Sequence, residues 1–261
     1  MLEVMSSAKL IQKVALVALL LTIAGNASAA AILYGGNSVR AFTVDDTATG
    51  AMTEIPYSPS YDIDAIARDQ SSGLLYAGND LRFFSIDAST GTTNVISTGG
   101  FTIAGLAFVG STLYGGNDSR FFSIDTTTGV MTSINASIDF NINAMAYDSI
   151  NDILYGGNDS GRFFSIDALT GNMTNIGTGA RTIRGMAIDP ITGDIYGGNT
   201  GNNLFTINAS TGVQTDLTTS TDYTITALTF AEDAEAIPTP APILGMLLGG
   251  LLMRAARKRV R

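Results

Sequence analysis

The feature that most constrains this chain is a repeat of about 40 residues. Tyr-Gly or Tyr-Ala steps mark the copies, which lie 38 to 42 residues apart. The steps begin at Tyr34, Tyr76, Tyr114, Tyr155 and Tyr196. Each copy has four short segments rich in Ile, Phe, Tyr and Thr, separated by Gly, Asn and Asp, which is the residue usage of strands and turns. A period near 40 residues with four strands per copy is typical of a β-propeller blade.

The copy around Tyr155 illustrates the predicted strands. They cover residues 142–148, 153–158 and 162–167, followed by a turn at Thr170-Gly171 and a Thr-rich fourth strand. Residues of both parities are apolar in Phe83-Phe84-Ser85-Ile86, as expected of a sheet that is covered on both faces. The repeats therefore predict an all-β domain without helices.

The ends of the repeat array predict how the ring closes. The chain enters at a second strand, residues 32–37, and leaves after a first strand, residues 224–230. Joined together, these halves complete a five-bladed β-propeller with a split closing blade and remove an exposed sheet edge. A narrow ring also explains why small residues recur in the predicted innermost strands. They are Ala65, Ala67, Gly105, Ala107, Ala144, Ala146, Gly185 and Ala187.

Composition narrows the chemistry that the repeat domain can perform. The chain has no cysteine and no histidine, so it lacks thiol nucleophiles, thiolate metal sites and the commonest general base. Its net charge is −9 and its only lysines, Lys9, Lys13 and Lys258, lie near the ends. Nucleic acid is therefore an unfavourable partner. We expect a non-catalytic domain without a cofactor, whose acidity serves colloidal stability or attracts cations and basic surfaces.

A first sub-motif, Asp-x-x-Thr-Gly, predicts hairpin turns. It spans residues 87–91, 125–129 and 167–171, with variants at 45–50 and 208–212. An Asp side chain that caps its own turn, followed by Gly at a positive φ, accounts for the pattern without a ligand.

A second sub-motif, Gly-Asn-Asp followed by Arg, is the candidate ligand site. Repeated Asn and Asp oxygens suit Ca²⁺ or sugar hydroxyls, and arginines add charged donors. Alternatively, Asp-Arg pairs bridge neighbouring blades without any ligand. The fifth copy, Asn199-Thr200, lacks both charges, and Asn37 and Arg40 retain part of the motif. The candidate residues are Asn79, Asp80, Arg82, Asn117, Asp118, Arg120, Asn158, Asp159 and Arg162.

Propeller geometry places these loops and the inter-blade segments on one face, with tight turns on the opposite face. Aromatic residues in the inter-blade segments are of the type that recognition surfaces use. We therefore add four of them to the candidate face: Tyr61, Phe101, Phe140 and Tyr223.

Both chain ends carry membrane-directed signals. Lys9 and Lys13 precede an apolar stretch, residues 14–24, and Ala27-Ser28-Ala29 offers small residues for signal peptidase. We expect a signal peptide over residues 1–29 rather than a membrane anchor, because the apolar run is about half the ~20 residues that a spanning helix needs. The propeller then covers residues 30–230, followed by a linker and Pro-containing box over residues 231–242.

The C-terminal 243–261 region combines a short apolar helix with a basic tail. The box contains Pro238 and Pro240, and the basic cluster includes Arg254, Arg257, Lys258 and Arg259. This layout resembles the PEP-CTERM sorting signal that exosortases recognise in Gram-negative, exopolysaccharide-producing bacteria, although Thr239 stands where that family usually has Glu. The resemblance implies transient inner-membrane association, removal of the tail and delivery to the cell surface or extracellular matrix. The alternative is a plain stop-transfer anchor.

The repeats also resemble exported propeller-like proteins of uncharacterised function that carry this tail. That resemblance implies no chemistry, since fold alone supplies none. Three hypotheses follow: a non-catalytic module that binds exopolysaccharide, a cation or an envelope protein; a propeller enzyme that acts on extracellular polysaccharide; and a purely architectural matrix component.

Overall fold

The structure is a computed structural model that describes residues 31–58 and 61–231. This part of the chain belongs to one compact unit and contains strands but no helix. Within it, no helix is long and apolar enough to cross a membrane. The predicted signal peptide (1–29), residues 232–242 of the linker and box, and the predicted tail (243–261) lie outside the described residues.

The strands form five antiparallel sheets of four strands each, which we call blades 1 to 5. Blade 1 contains β1 (Ile32–Gly36), β2 (Ala41–Asp46) and β3 (Ala51–Ile55). Blade 2 contains β4 (Ala65–Arg68), β5 (Leu75–Gly78), β6 (Arg82–Asp87) and β7 (Thr92–Thr98). Blade 3 contains β8 (Gly105–Val109), β9 (Thr112–Gly116), β10 (Phe121–Ile124) and β11 (Met131–Asn135).

Blade 4 contains β12 (Ala144–Asp148), β13 (Ile153–Gly157), β14 (Arg162–Ile166) and β15 (Met173–Thr178). Blade 5 contains β16 (Gly185–Ile188), β17 (Ile195–Gly198), β18 (Leu204–Ile207) and β19 (Gln214–Thr218). The last strand, β20 (Ala227–Ala231), returns to blade 1 and pairs with β1, with Gly36 opposite Ala227 and Ile32 opposite Ala231. The predicted split closing blade is therefore confirmed.

The first strands of the blades surround a common axis. β4 contacts β8 and β20, β12 contacts β8 and β16, and β16 contacts β20, so the ring of five is closed. Five apolar clusters fill the spaces between neighbouring blades. In the Phe-Phe pair of blade 2, Phe83 packs toward blade 3 and Phe84 toward blade 1. This two-sided burial explains why both parities of the strand are apolar.

The predicted first strands begin too early by two residues in blade 4. The strand starts at Ala144 rather than at Ile142. Ile142 is fully buried, and its backbone N–H donates a 3.0 Å hydrogen bond to the carbonyl oxygen of Asn117 in blade 3. An apolar residue here thus serves the junction between blades instead of extending the strand.

Close packing explains the Tyr-Gly-Gly signature. A Cβ on Gly156 would lie 2.3 Å from the ring of Phe164, and one on Gly157 would lie 2.5 Å from Cγ2 of Ile183 in the next blade. These close approaches favour glycine at both positions, although blade 2 has Ala77 opposite Phe84 at the position of Gly156.

The Asp-x-x-Thr-Gly segments are hairpin turns, as predicted. Asp167 Oδ1 accepts hydrogen bonds from the backbone N–H groups of Leu169 and Thr170, at 2.9 and 3.0 Å, and Gly171 has a φ of 72°. These hydrogen bonds lower the pKa of Asp167. The same arrangement recurs around Asp46, Asp87, Asp125 and Asn208.

Five large apolar side chains line a small cavity between the first strands. Each follows the small residue that begins a first strand, and each is at most 3% exposed. They are Ile66, Leu106, Met145, Met186 and Leu228. We call this set the axial layer. It separates a polar cavity at one end of the axis from an apolar pocket at the other.

Candidate ligand site at the axial mouth

The repeated asparagines lock the loops that precede the third strands. Asn79 is 6% exposed, and its Oδ1 accepts hydrogen bonds from the backbone N–H groups of Leu81 and Arg82, at 2.8 and 2.9 Å. Its Nδ2 donates to the carbonyl oxygen of Asp62, at 2.8 Å. Equivalent buried residues occupy every blade: Asn37, Asn117, Asn158 and Asn199. The polar atoms of these side chains are therefore used in hydrogen bonds that hold the loops in place.

An isoleucine ring ties each loop to the following blade. The backbone N–H of Ile103 donates to the carbonyl oxygen of Asn79, at 3.3 Å, and the side chain is buried. The same bond recurs at all five junctions. The isoleucine ring consists of Ile63, Ile103, Ile142, Ile183 and Ile225.

The motif arginines stack on the inter-blade aromatic residues. In blade 4, the guanidinium carbon of Arg162 lies 4.3 Å from the centre of the Phe140 ring, which packs on Phe164. Such cation–π contacts cover the edge of the core. The same stack joins Arg82 with Tyr61, Arg120 with Phe101, and Arg40 with Tyr223. The arginines and aromatic residues that the sequence assigned to one face therefore lie side by side, in pairs that the sequence analysis did not predict.

Blade 5 departs from this pattern. Arg181 replaces the aromatic residue and Asn203 replaces the arginine. The Arg181 guanidinium binds both carboxylate oxygens of Asp216 at 2.6 Å and thereby lowers the pKa of Asp216. Asn203 turns inward and donates to Asn199 Oδ1, at 2.9 Å.

The motif aspartates line a polar cavity of about 340 Å³ at this end of the axis. Asp80, Asp118 and Asp159 contribute to its wall, together with Asn117. Inside them stands a second ring, formed by the residues that directly follow the isoleucine ring. This mouth ring consists of Asp64, Ala104, Asn143, Arg184 and Thr226. We call the whole cavity the axial mouth.

No two members of the mouth ring are the same residue type. Arg184 Nη2 binds Asp159 Oδ2 at 2.7 Å across the boundary between blades 5 and 4, so the predicted bridging by Asp-Arg pairs occurs here, with a different arginine. Asn143 Oδ1 accepts from the backbone N–H of Asp159, at 3.1 Å. Thr226 donates to the carbonyl oxygen of Ile63, at 2.6 Å. A five-fold frame thus presents a chemically asymmetric surface.

Two carboxyl groups of the axial mouth lack full compensation. Burial, reinforced by the charges of Asp80 and Asp62 and opposed by Arg184, raises the pKa of Asp64 to about 6. Asp159 Oδ1 is buried without a hydrogen-bond partner. Buried polar groups in folded proteins normally have partners, so Asp159 Oδ1 is an exception beside the axial mouth.

Across residues 31–58 and 61–231, no three acidic side chains converge closely enough to hold a metal ion. Calcium binding at Asn79, Asn117 and Asn158 therefore stays a prediction, and their amide oxygens already accept backbone hydrogen bonds.

Sequence reasoning missed the mouth ring and the apolar pocket. The signal for the mouth ring was available, because one position after each isoleucine changes chemistry in every copy. The apolar pocket has a volume of about 260 Å³ and lies on the face where only tight turns were expected. Phe108, Tyr147 and Phe230 contribute to its wall.

Comparison with known proteins shows the fold alone. The first similar structure is a chain of a nidogen/laminin complex, with a TM-score of 0.58 and 10% identity over 77% of this chain and 98% of that chain. A protein of unknown function from Bacteroides thetaiotaomicron VPI-5482 has a TM-score of 0.54 and 14% identity, over 77% of this chain and 61% of that chain. No family model and no curated protein matches the sequence.

Proposed function

We propose that this chain is an exported surface or extracellular-matrix protein that acts as a non-catalytic binding module, with its ligand site at the axial mouth. The mouth ring carries this proposal. It places five different side chains around one cavity, although the positions on either side of it repeat as isoleucine and as alanine or glycine. A packing role would favour the same residue in each blade.

Extracellular polysaccharide is the ligand class that the lining favours. Carboxylates accept hydrogen bonds from sugar hydroxyls, while the Arg184 guanidinium and the Asn143 amide donate to sugar oxygens. The cavity is concave and strongly polar, with contributions from blades 2 to 5 and from Thr226, which precedes β20 of blade 1. These properties suit a hydrated ligand better than an apolar one.

Export rests on the sequence of the chain ends. The signal-peptide pattern and the box with Pro238 and Pro240 imply signal peptidase and an exosortase-type enzyme as processing partners. In the propeller, Ile32 pairs with Ala231 at the end of the axis opposite the axial mouth. Attachment through either end of the propeller leaves the axial mouth open.

Binding of purified protein to exopolysaccharide tests the site. We expect retention on immobilised polysaccharide, and we expect the double variant Asp80→Ala/Asp118→Ala to weaken it at least tenfold. Asp139→Ala serves as the control, because Asp139 is exposed on the same face and does not line the cavity. Equal retention of both variants would place the ligand elsewhere.

Mass spectrometry of the mature protein tests export and sorting. We expect loss of residues 1–29 and of the segment that follows the Pro-containing box. A mature protein that retains both segments contradicts processing, and one that retains only the C-terminal segment favours a stop-transfer anchor.

A polysaccharide-cleaving enzyme is the second candidate, and one observation favours it. Asp64 has a raised pKa beside Asp80, and a protonated carboxyl near an ionised one is the arrangement that glycosidases use. New reducing ends or unsaturated products, formed by the unaltered protein and not by Asp64→Asn, would establish the enzyme over the binding module.

A further inference from the structure

We propose that the axial mouth selects a sugar that carries a primary ammonium group, as in a de-N-acetylated amino sugar. The inference rests on the proposed polysaccharide-binding function and names its ligand class. Its basis is the imbalance of charge around a cavity that is otherwise suited to a polyol.

The charge imbalance comes from the identity of the lining residues. Four carboxylates, those of Asp64, Asp80, Asp118 and Asp159, share the cavity with one guanidinium, that of Arg184. The Arg184–Asp159 ion pair neutralises one carboxylate and leaves three facing a single base already in use. A ligand with a positive charge relieves this repulsion, whereas a neutral sugar leaves it in place.

The position of the uncompensated oxygens supports an ammonium donor. Asp159 Oδ1 is buried and has no hydrogen-bond partner, while Asp159 Oδ2 holds Arg184. Asp64 lies in the mouth ring close enough to Asp80 and Asp62 for their charges to raise its pKa. An ammonium group has three donors and one positive charge, so it hydrogen-bonds a nearby carboxylate while its charge offsets the repulsion among the others.

The remaining lining residues suit the rest of a sugar ring. Asn143 offers an amide, and Thr102 and Ala104 also contribute to the wall. The lining has no convergent acidic trio for a directly coordinated metal ion. The donors required therefore belong to an organic cation with hydroxyl groups rather than to a bare metal ion.

A pair of matched oligosaccharides provides the test. Calorimetric titration of the purified full-length protein at about pH 6.5, where Asp64 is mostly ionised, compares a glucosamine oligomer with its N-acetylated counterpart. We expect the amine-bearing oligomer to bind at least about tenfold more tightly. We expect added salt to reduce that preference, because the attraction is between charges.

Asp64→Asn is the decisive variant. Blade 4 carries Asn143 at the same position, so the fold accommodates the substitution. We expect the variant to lose most of the preference for the amine, so that the ratio of the two affinities falls toward one. Asp139→Asn removes the same charge from the same face outside the cavity and should leave the preference unchanged.

The outcomes separate this inference from the proposed function. Equal binding of both oligomers, unchanged in Asp64→Asn, overturns the ammonium selection and keeps the polysaccharide site. Absence of binding by either oligomer overturns both. Binding of Ca²⁺ alone, lost in Asp64→Asn and in competition with the amine, overturns the organic cation as the ligand.

Discussion

The isoleucine ring and the mouth ring are neighbours in the sequence, yet they obey opposite rules. One is isoleucine in all five blades, and the other has aspartate, alanine, asparagine, arginine and threonine. The isoleucines fill the same space between blades and donate the same backbone hydrogen bond, so the five-fold frame permits one solution. The next residue faces the axial mouth, where packing between blades does not restrict the type of side chain. The comparison teaches that, in a ring of repeats, variation among copies marks surface that is free for recognition.

The largest expected effect is a loss of stability when one member of the isoleucine ring is truncated. Ile183→Ala removes a side chain that is 0% exposed, and we expect it to cost about 2–5 kcal/mol of unfolding free energy because a cavity remains. The adjacent Arg184→Ala should cost less than about 1 kcal/mol, since its ion pair with Asp159 is partly exposed. Chemical denaturation measures both. Similar losses for the two variants would contradict the division between the rings.

Asn79→Ala tests how much the buried asparagines stabilise the loops that precede the third strands. It leaves two backbone N–H groups and the carbonyl of Asp62 without their partner, so we expect a loss of about 2–3 kcal/mol. Asp80→Ala, one residue later, should change stability by less than about 0.5 kcal/mol. A small effect of Asn79→Ala on the denaturation midpoint would show that water replaces these bonds.

The two glycines of the Tyr-Gly-Gly signature should differ in tolerance. Gly157→Ala presses on Ile183, whose backbone is fixed by Asn158, and we expect a cost of about 1–3 kcal/mol. Gly156→Ala should cost less, because Ala77 occupies that position in blade 2 and packs in the same cluster as Phe84. The opposite order in thermal unfolding would contradict the packing argument.

The smallest expected effect concerns Asp64 of the mouth ring and the dependence of stability on pH. The folded-state pKa of Asp64, about 6, exceeds its ordinary value of 3.8, so the folded protein loses stability relative to the unfolded chain as pH rises through this interval. Asp64→Asn should therefore stabilise the protein near neutral pH, by about 1 kcal/mol after solvent screening. The gain should vanish below about pH 4. A pH series of unfolding curves measures this, and a variant less stable than the parent at neutral pH refutes it.

The fold could be predicted from the sequence because the same pattern of strand and turn residues occurs in five copies. Alternation alone leaves a strand register open, but Tyr155-Gly156-Gly157 recurring with Phe163-Phe164 identifies paired strands and their neighbours. The split blade followed from the missing halves at residues 32–37 and 224–230. The strand bounds were less accurate, because Ile142 reads as strand while its backbone bonds to Asn117.

The candidate site was predicted only in part. Asp80, Asp118 and Asp159 do line the axial mouth, but Arg162 stacks on Phe140 instead of facing the cavity. Stacking and bridging both suit an arginine beside aromatic and acidic residues, so local sequence does not distinguish them. Asp64 was missed because it lies outside the repeated Asn-Asp motif, and because the closed ring brings residues of other blades, such as Arg184 and Thr226, into the same cavity.

The split blade also sets the order of events when the molecule is made. Thr226 donates a hydrogen bond to the carbonyl oxygen of Gly36, a partner 190 positions earlier in the chain. A contact this distant forms late and slowly, because loop closure must precede it. While synthesis proceeds from the N-terminus, β1 has β2 as its partner on one side, and its other edge stays unpaired until β20 is made. Ring closure therefore depends on the last strand that is synthesised, and the propeller is complete only when residues 227–231 have left the ribosome.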